Sequence, residues 1–147
     1  EVLERIKALT EGENNEISLM ATINCELHHA FDDYHWTGFY RLVEKELLKV
    51  GPYQGGHGCL VIPFNRGVCG ACATEEKTQL VPDVHALPYH IACSSTTLSE
   101  IVLPVFNQNK KLIAVFDVDS NKPAAFDEVD QKYLEEILRI FENRKLD

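Results

Sequence analysis

Positive charge is scarce in this sequence: 14 lysines and arginines against 23 aspartates and glutamates leave a net charge of −9 over 147 residues. Nucleic-acid binding and attachment to an anionic membrane surface both need a basic face, so neither is expected. Long apolar runs are also missing, and nothing approaches the roughly 18–20 residues of a membrane span. The opening stretch EVLERIKALTEGENNE has neither the basic start nor the apolar centre of a secretory signal. The five cysteines are odd in number and unevenly spread, a poor match to the paired frameworks of small secreted domains. Together these absences point to a cytoplasmic protein whose thiols start reduced. Repeats, low-complexity tracts and linker-like stretches are absent as well, so one domain over residues 1–147 is expected.

What the sequence does have is concentrated between Gly51 and Phe106, most tightly between Cys59 and Cys93. Four cysteines, His57, His85, His90 and most of the glycines and prolines fall there. Glycine and proline weaken the interiors of helices and strands, so this middle reads as turns that bring thiols and imidazoles together. The flanks read as scaffold. A helix is predicted from Glu13 to about Phe31, capped by Asn14 or Asn15, with Ile17, Met20, Ala21, Leu27 and Phe31 on its apolar face. Cys25 is expected in the core, and the His28-His29 pair in solvent.

Trp36–Val43 and Leu47–Val50 read as a hairpin. Trp36, Gly38 and Tyr40 share one face of its first strand, since side chains alternate. The glycine leaves a slot between two aromatics, which suits core packing or a wall for a small apolar group equally well. A glycine-rich loop follows, then a short strand from Cys59 to Ile62 and a short helix from Gly67 to about Glu75. Cys69 lies in that helix's first turn, where the dipole and free N–H groups would stabilise a thiolate. Thr78–Val81 reads as a strand, and a proline-punctuated loop from Pro82 to His90 leads to Cys93. Ser99–Phe106 and Lys111–Val118 form the clearest hairpin. Asp127 then caps a helix from Glu128 to about Arg144, with Val129, Tyr133, Leu134, Ile137, Leu138 and Phe141 as its apolar face. Hairpin-linked strands with helices on one side predict an α+β domain on an antiparallel sheet.

Three chemistries compete for the thiols. Zinc could take Cys69, Cys72, Cys93 and a histidine, but a single CxxC without a matching second half-site is a weak signal. A thioredoxin-like Cys69-Cys72 pair belongs after the first strand of a parallel βαβ unit, and this chain reads as antiparallel. The third is a nucleophilic thiolate with resolving thiols on other loops, since reductive sulfur chemistry leaves a sulfenic acid that condenses with a second thiol. Cys59, Cys69 and Cys93 come from separate segments and could converge. Carboxylates give the other clue. Asp117 and Asp119 point to one face near a strand end, and Glu100 opens the partner strand. Three acids at one sheet end would raise one another's pKa and keep a general acid protonated. A solvated edge or a turn cap explains them as simply.

The blocks GPYQG, Cys59, PFNRGVCG, TQLVPDVHALPYHIAC, SEIVLPV and FDVDS fall in one order from about Trp36 onward. In that order they resemble the free methionine-(R)-sulfoxide reductases, which are GAF domains. The resemblance implies a GAF-like fold with a six-stranded antiparallel sheet, helices packed on it and a small enclosed pocket. It implies that Cys93 is the attacking thiolate and that Cys69 and Cys59 are resolving or recycling thiols. Between these two, the helix terminus favours Cys69 as the disulfide partner of Cys93. Trp36 and Tyr40 would line the pocket around the substrate methyl. Glu100, Asp117 and Asp119 would hold the ammonium of free methionine-(R)-sulfoxide and protonate its oxygen. The resemblance brings thioredoxin as reductant, allows a homodimer, and implies no cofactor and no metal. The competing expectation is a GAF module that senses a small molecule or redox state and catalyses nothing, because fold alone does not fix function.

Overall fold

The computed structural model of the protein describes residues 1–88 and 96–147. Six strands form one sheet: β1 (Trp36–Glu44), β2 (Leu47–Gln54), β3 (Val61–Pro63), β4 (Gln79–Val81), β5 (Ser99–Phe106) and β6 (Leu112–Ser120). Their spatial order is β3-β2-β1-β6-β5-β4, and every pairing is antiparallel. Four α-helices complete the fold: α1 (Val2–Leu9), α2 (Glu16–Ala30), α3 (Gly67–Glu75) and α4 (Glu128–Asn143). Among the described residues no helix is long and apolar enough to cross a membrane.

Period-two alternation divides the sheet into two unlike faces. On one, Phe39, Ile101, Leu103, Val105, Ala114, Phe116 and Val118 meet α1, α2 and α4 in a continuous core with Ile6, Met20, Ile23, Leu134, Ile137 and Phe141. Burial of each such side chain contributes about 1.5–3 kcal/mol. The opposite face carries Trp36, Tyr40, Leu48, Ile62, Val102 and Val115, and α3 covers it with Val68, Cys72 and Ala73. Helices therefore lie on both faces, not on one as the sequence pattern implied. Among the described residues the second face has a nine-residue helix and loops above it, which leaves room for a cavity.

The helix ends follow local chemistry. Asn15 caps α2 by accepting a bond from the Ser18 amide at 3.0 Å. The buried face of α2 is Leu19, Met20, Ile23, Asn24 and Leu27, so the expected face was displaced. Ile17 and Phe31 are exposed, and Ala21 also faces solvent. Cys25 is half-buried, not a core residue. Of the histidine pair only His29 is solvated; His28 is half-buried against Thr37, ring Nδ1 to Oγ1 3.0 Å. On α4, Val129 and Tyr133 are likewise exposed, and Ile140 joins Leu134, Ile137, Leu138 and Phe141 in the core. The α4 N-terminus is closed by a reciprocal cap. Asp127 accepts from the Val129 and Asp130 amides at 3.0 Å each, and the Asp130 carboxylate accepts from the Asp127 amide at 2.9 Å.

Asp127→Ala should therefore lower the urea midpoint of unfolding, measured by urea titration with an unchanged m-value. Unchanged stability would mean that α4 does not depend on this cap.

Candidate active site

The site begins with the length of β6. The strand continues two residues past the expected end at Val118, because Asp119 and Ser120 keep pairing with Glu100 and Ser99 of β5. Asp117 and Asp119 consequently sit inside a central strand. Gly38 and Trp36 of β1 are their neighbours on one side, and Val102 and Glu100 of β5 on the other. Alternation sends both aspartates, and Glu100 directly opposite Asp119, to the face beneath α3. Glu100 is 6% and Asp117 3% exposed. The readings of a solvated sheet edge or a turn cap do not survive this placement.

Burial pushes all three carboxyls well above the ordinary acid range, and they push one another further. Burial is the main cause at each; next come Asp119 acting on Asp117, Glu100 on Asp119 and Asp117 on Glu100. Like charges this close resist ionising together, which favours keeping a proton on the trio. Asp117 Oδ1 and Asp119 Oδ1 are buried with no hydrogen-bond partner. A buried oxygen left unsatisfied costs about 1–3 kcal/mol, and a ligand bearing N–H donors would recover it.

Opposite the acids stands an aromatic wall. Trp36 stacks on Tyr40 with centroids 5.5 Å apart and on Tyr53 at 5.2 Å. Its indole N–H donates to the Gly56 carbonyl at 2.8 Å, which fixes the ring plane. The slot expected over Gly38 is filled by this ring: a Cβ built on Gly38 would lie 2.6 Å from Trp36 and 2.4 Å from Tyr53. Gly58 plays the same part across the wall, where a Cβ would stand 2.8 Å from Trp36 and 2.9 Å from the Tyr40 hydroxyl. Burial, then Asp117, pushes the Tyr40 phenol far up, so it stays a neutral donor.

The three acids, Trp36, Tyr40 and Gly58 line one small cavity of about 40 Å³, together with His57, Ile62, Arg66, Val68, Cys69 and Thr97. Tyr53, Ile62, Arg66 and Thr97 were not singled out from sequence. Tyr53 was within reach, because it pairs opposite Gly38 once β2 is allowed to run to Gln54.

The cysteines need one correction. Cys69 does lie in the first turn of α3, but it is buried and its thiol is pushed up, first by burial and then by Asp117, Glu100 and Asp119. Desolvation and three nearby carboxyls outweigh the helix dipole. Cys69, Cys72 and Cys25 are free thiols. Cys72 is fully buried within α3, and burial and Asp117 raise its thiol as well. Cys59, half-buried at the end of the glycine-rich loop, is disulfide-bonded. Cys69, the disulfide partner favoured from sequence, is a free thiol here. Cys93 and His90 lie outside the described residues.

The sequence profile of the GAF domain matches residues 23–142. The chain belongs to the GAF domain family. It is 45% identical to GAF domain-containing protein A of Dictyostelium discoideum, over 97% of this chain and 89% of that protein. With the free methionine-R-sulfoxide reductase of Saccharomyces cerevisiae it shares 36% identity over 95% of this chain and 83% of that one. Its backbone superposes on the substrate-bound free methionine-R-sulfoxide reductase of Neisseria meningitidis with a TM-score of 0.92, at 41% identity, covering 97% of this chain and 85% of that one. The likeness drawn from the sequence blocks is therefore to real relatives, and the six-stranded antiparallel sheet is the GAF sheet.

The acids of this GAF pocket give a sign to the protein's pH response. A carboxyl whose pKa is raised by folding stabilises the fold below the ordinary carboxylate range near pH 4. That contribution fades as pH climbs toward the raised values. Asp117→Asn should flatten the loss of stability above about pH 4 by up to about 1.4 kcal/mol per pH unit, read from unfolding midpoints across pH. Superimposable pH profiles for the two proteins would mean that Asp117 titrates as a solvated carboxyl.

Proposed function

We propose that the protein reduces free methionine-(R)-sulfoxide to methionine with two of its own thiols. The observation that carries this reading is the cavity itself, where proton-holding carboxyls, the Tyr40 hydroxyl and an aromatic wall converge. Sulfoxide reduction needs a nucleophile for sulfur and a proton for the departing oxygen, and a carboxyl kept neutral by its site supplies the second. Cys93 is the nucleophile in this reading, on the strength of the HIAC block. Its thiolate attacks the sulfoxide sulfur while an acid of the Glu100–Asp119 pair protonates the oxygen. Methionine leaves and Cys93 becomes a sulfenic acid. A second thiol then attacks the Cys93 sulfur, expelling water and closing a disulfide.

Cys59 is the better candidate for that second thiol. It is disulfide-bonded and half-buried, whereas Cys69 is a buried free thiol among carboxyls that oppose its ionisation. Atoms balance: one sulfoxide and two thiols give one thioether, one disulfide and one water. A dithiol such as thioredoxin restores the pair, in the cytoplasm, and the family leaves room for a homodimer. A purely sensing GAF module is favoured by no observation.

Cys93→Ser should abolish methionine formation even in a single turnover without reductant. Cys59→Ser should keep that first turnover and lose recycling. Stoichiometric methionine from the Cys93 variant would overturn the assignment.

Substrate choice follows from the same cavity. A free α-ammonium donates charge-assisted bonds to the carboxyl oxygens that lack partners, worth roughly 1.5–3 kcal/mol. An N-acetyl or peptide amide gives up that charge and leaves a buried acid unmatched. The free amino acid should therefore exceed its N-acetyl form at least about 10-fold in kcat/KM. Comparable values for the two would remove the acids from ammonium recognition.

A further inference from the structure

The acid face of the cavity also has the composition of a metal site. Cys69 Sγ, a Glu100 oxygen and an Asp117 oxygen all lie within 4.8 Å of one another, and all three residues are buried. They come from three elements, the first turn of α3, β5 and β6. Asp117, 3% exposed, keeps Oδ1 without a hydrogen-bond partner on the cavity wall, and Asp119 Oδ1 beside it is unpartnered as well. Hydrogen bonding therefore leaves one oxygen on each of these two aspartates available to an ion.

We propose that this pocket is a binding site for a thiophilic divalent cation, Zn²⁺, held by Cys69, Glu100 and Asp117, with Asp119 or a water completing the tetrahedron. Zinc bonds of about 2.3 Å to sulfur and 2.0 Å to oxygen set ligand atoms about 3.5 Å apart. Closing the cluster to that size asks about one ångström of side-chain rotation. The sulfur decides the metal, since Mg²⁺ and Ca²⁺ take oxygen-only sets while a mixed thiolate and carboxylate set suits Zn²⁺. On binding, the Cys69 proton and any proton held on the ligating carboxyls pass to solvent, and no oxidation state changes. This ligand set is not the CxxC-based one that the sequence suggested, because Cys72 is not in the cluster. The ion is an occupant of the cavity and not a cofactor: it takes the carboxyls that the reductase reading assigns to substrate, so zinc and amino acid exclude each other.

Cobalt(II) tests the site without any turnover, so its outcome is independent of the reductase reading. The metal is titrated into the full chain with no thiol reductant, so that Cys59 stays in its disulfide. A thiolate-to-cobalt charge-transfer band should saturate at one equivalent and be bleached by Zn²⁺. Cys69→Ser should lose the band. Asp117→Asn and Glu100→Gln, with circular dichroism confirming the fold, should each weaken binding at least about 10-fold, the lower end of what even outer-shell changes cost. Cys25→Ser should leave the band unchanged. No band in the wild-type protein, a band that survives Cys69→Ser, or unweakened binding in both carboxyl variants would overturn the proposal.

Discussion

Glu100 and Asp119 face each other across two paired strands, with Asp117 two residues along on the same face, and the rest of the site is arranged around keeping them dry. Directly opposite acids repel, and a sheet pairs them only where another function outweighs the cost. Here the backbone gives them no alternative. β6 is central, bonded to β1 and β5 at once, so its register is fixed by the apolar face behind it. Phe116 and Val118 must point into the core beneath α4, and Asp117 and Asp119 must then point the other way. A one-residue slip that freed the acids would bury them in the main core. The hydrophobic face thus holds the acids where they are.

The wall across from them obeys the same register. Trp36 pairs with Asp119 and Gly38 with Asp117, so the indole rises from the strand beside the acids and folds over the one residue with no side chain. The Gly56 carbonyl holds the indole N–H, and Gly58 admits the Tyr40 hydroxyl. A polar tip on an apolar body lets Tyr40 finish the wall and place its hydroxyl in the same cavity as the carboxyls. Gly38 and Gly58 are needed where rings pass close to backbone, whereas Gly55 and Gly67 hold positive φ.

Much of this was legible in the residues. The β5–β6 hairpin, α3 from Gly67 to Glu75 and the Asp127 cap appear where alternation, spacing and capping chemistry place them. The resemblance read from ordered blocks named the fold and the acids and aromatics that line the cavity. What failed depended on contacts distant in sequence. The end of β6 was misjudged because an aspartate is a poor strand former alone, and pairing with Trp36 on one side and Glu100 on the other keeps it in the ladder. The apolar stripe of α2 was misplaced because a helix that packs on a sheet and on α1 is buried over a face that local periodicity does not fully specify. α1 offered no motif, and Ile6 joins the core only through its neighbours.

Cys69 shows the limit of local reasoning most clearly. Its position in a helix first turn favours a thiolate by a few tenths to about 1 kcal/mol at the surface. Desolvation works in the opposite direction, up to several pKa units for a fully buried group at about 1.4 kcal/mol per unit, and three carboxyls add to it. The larger effect wins, and the buried thiol stays protonated. Cys59 has no helix terminus, yet it is half-buried at a loop end and already bonded to sulfur. Exchange chemistry requires that an incoming thiolate reach the sulfur it attacks. Access therefore separates the two cysteines: Cys59 is half-buried, and the buried Cys69 belongs to the wall of the acid cavity.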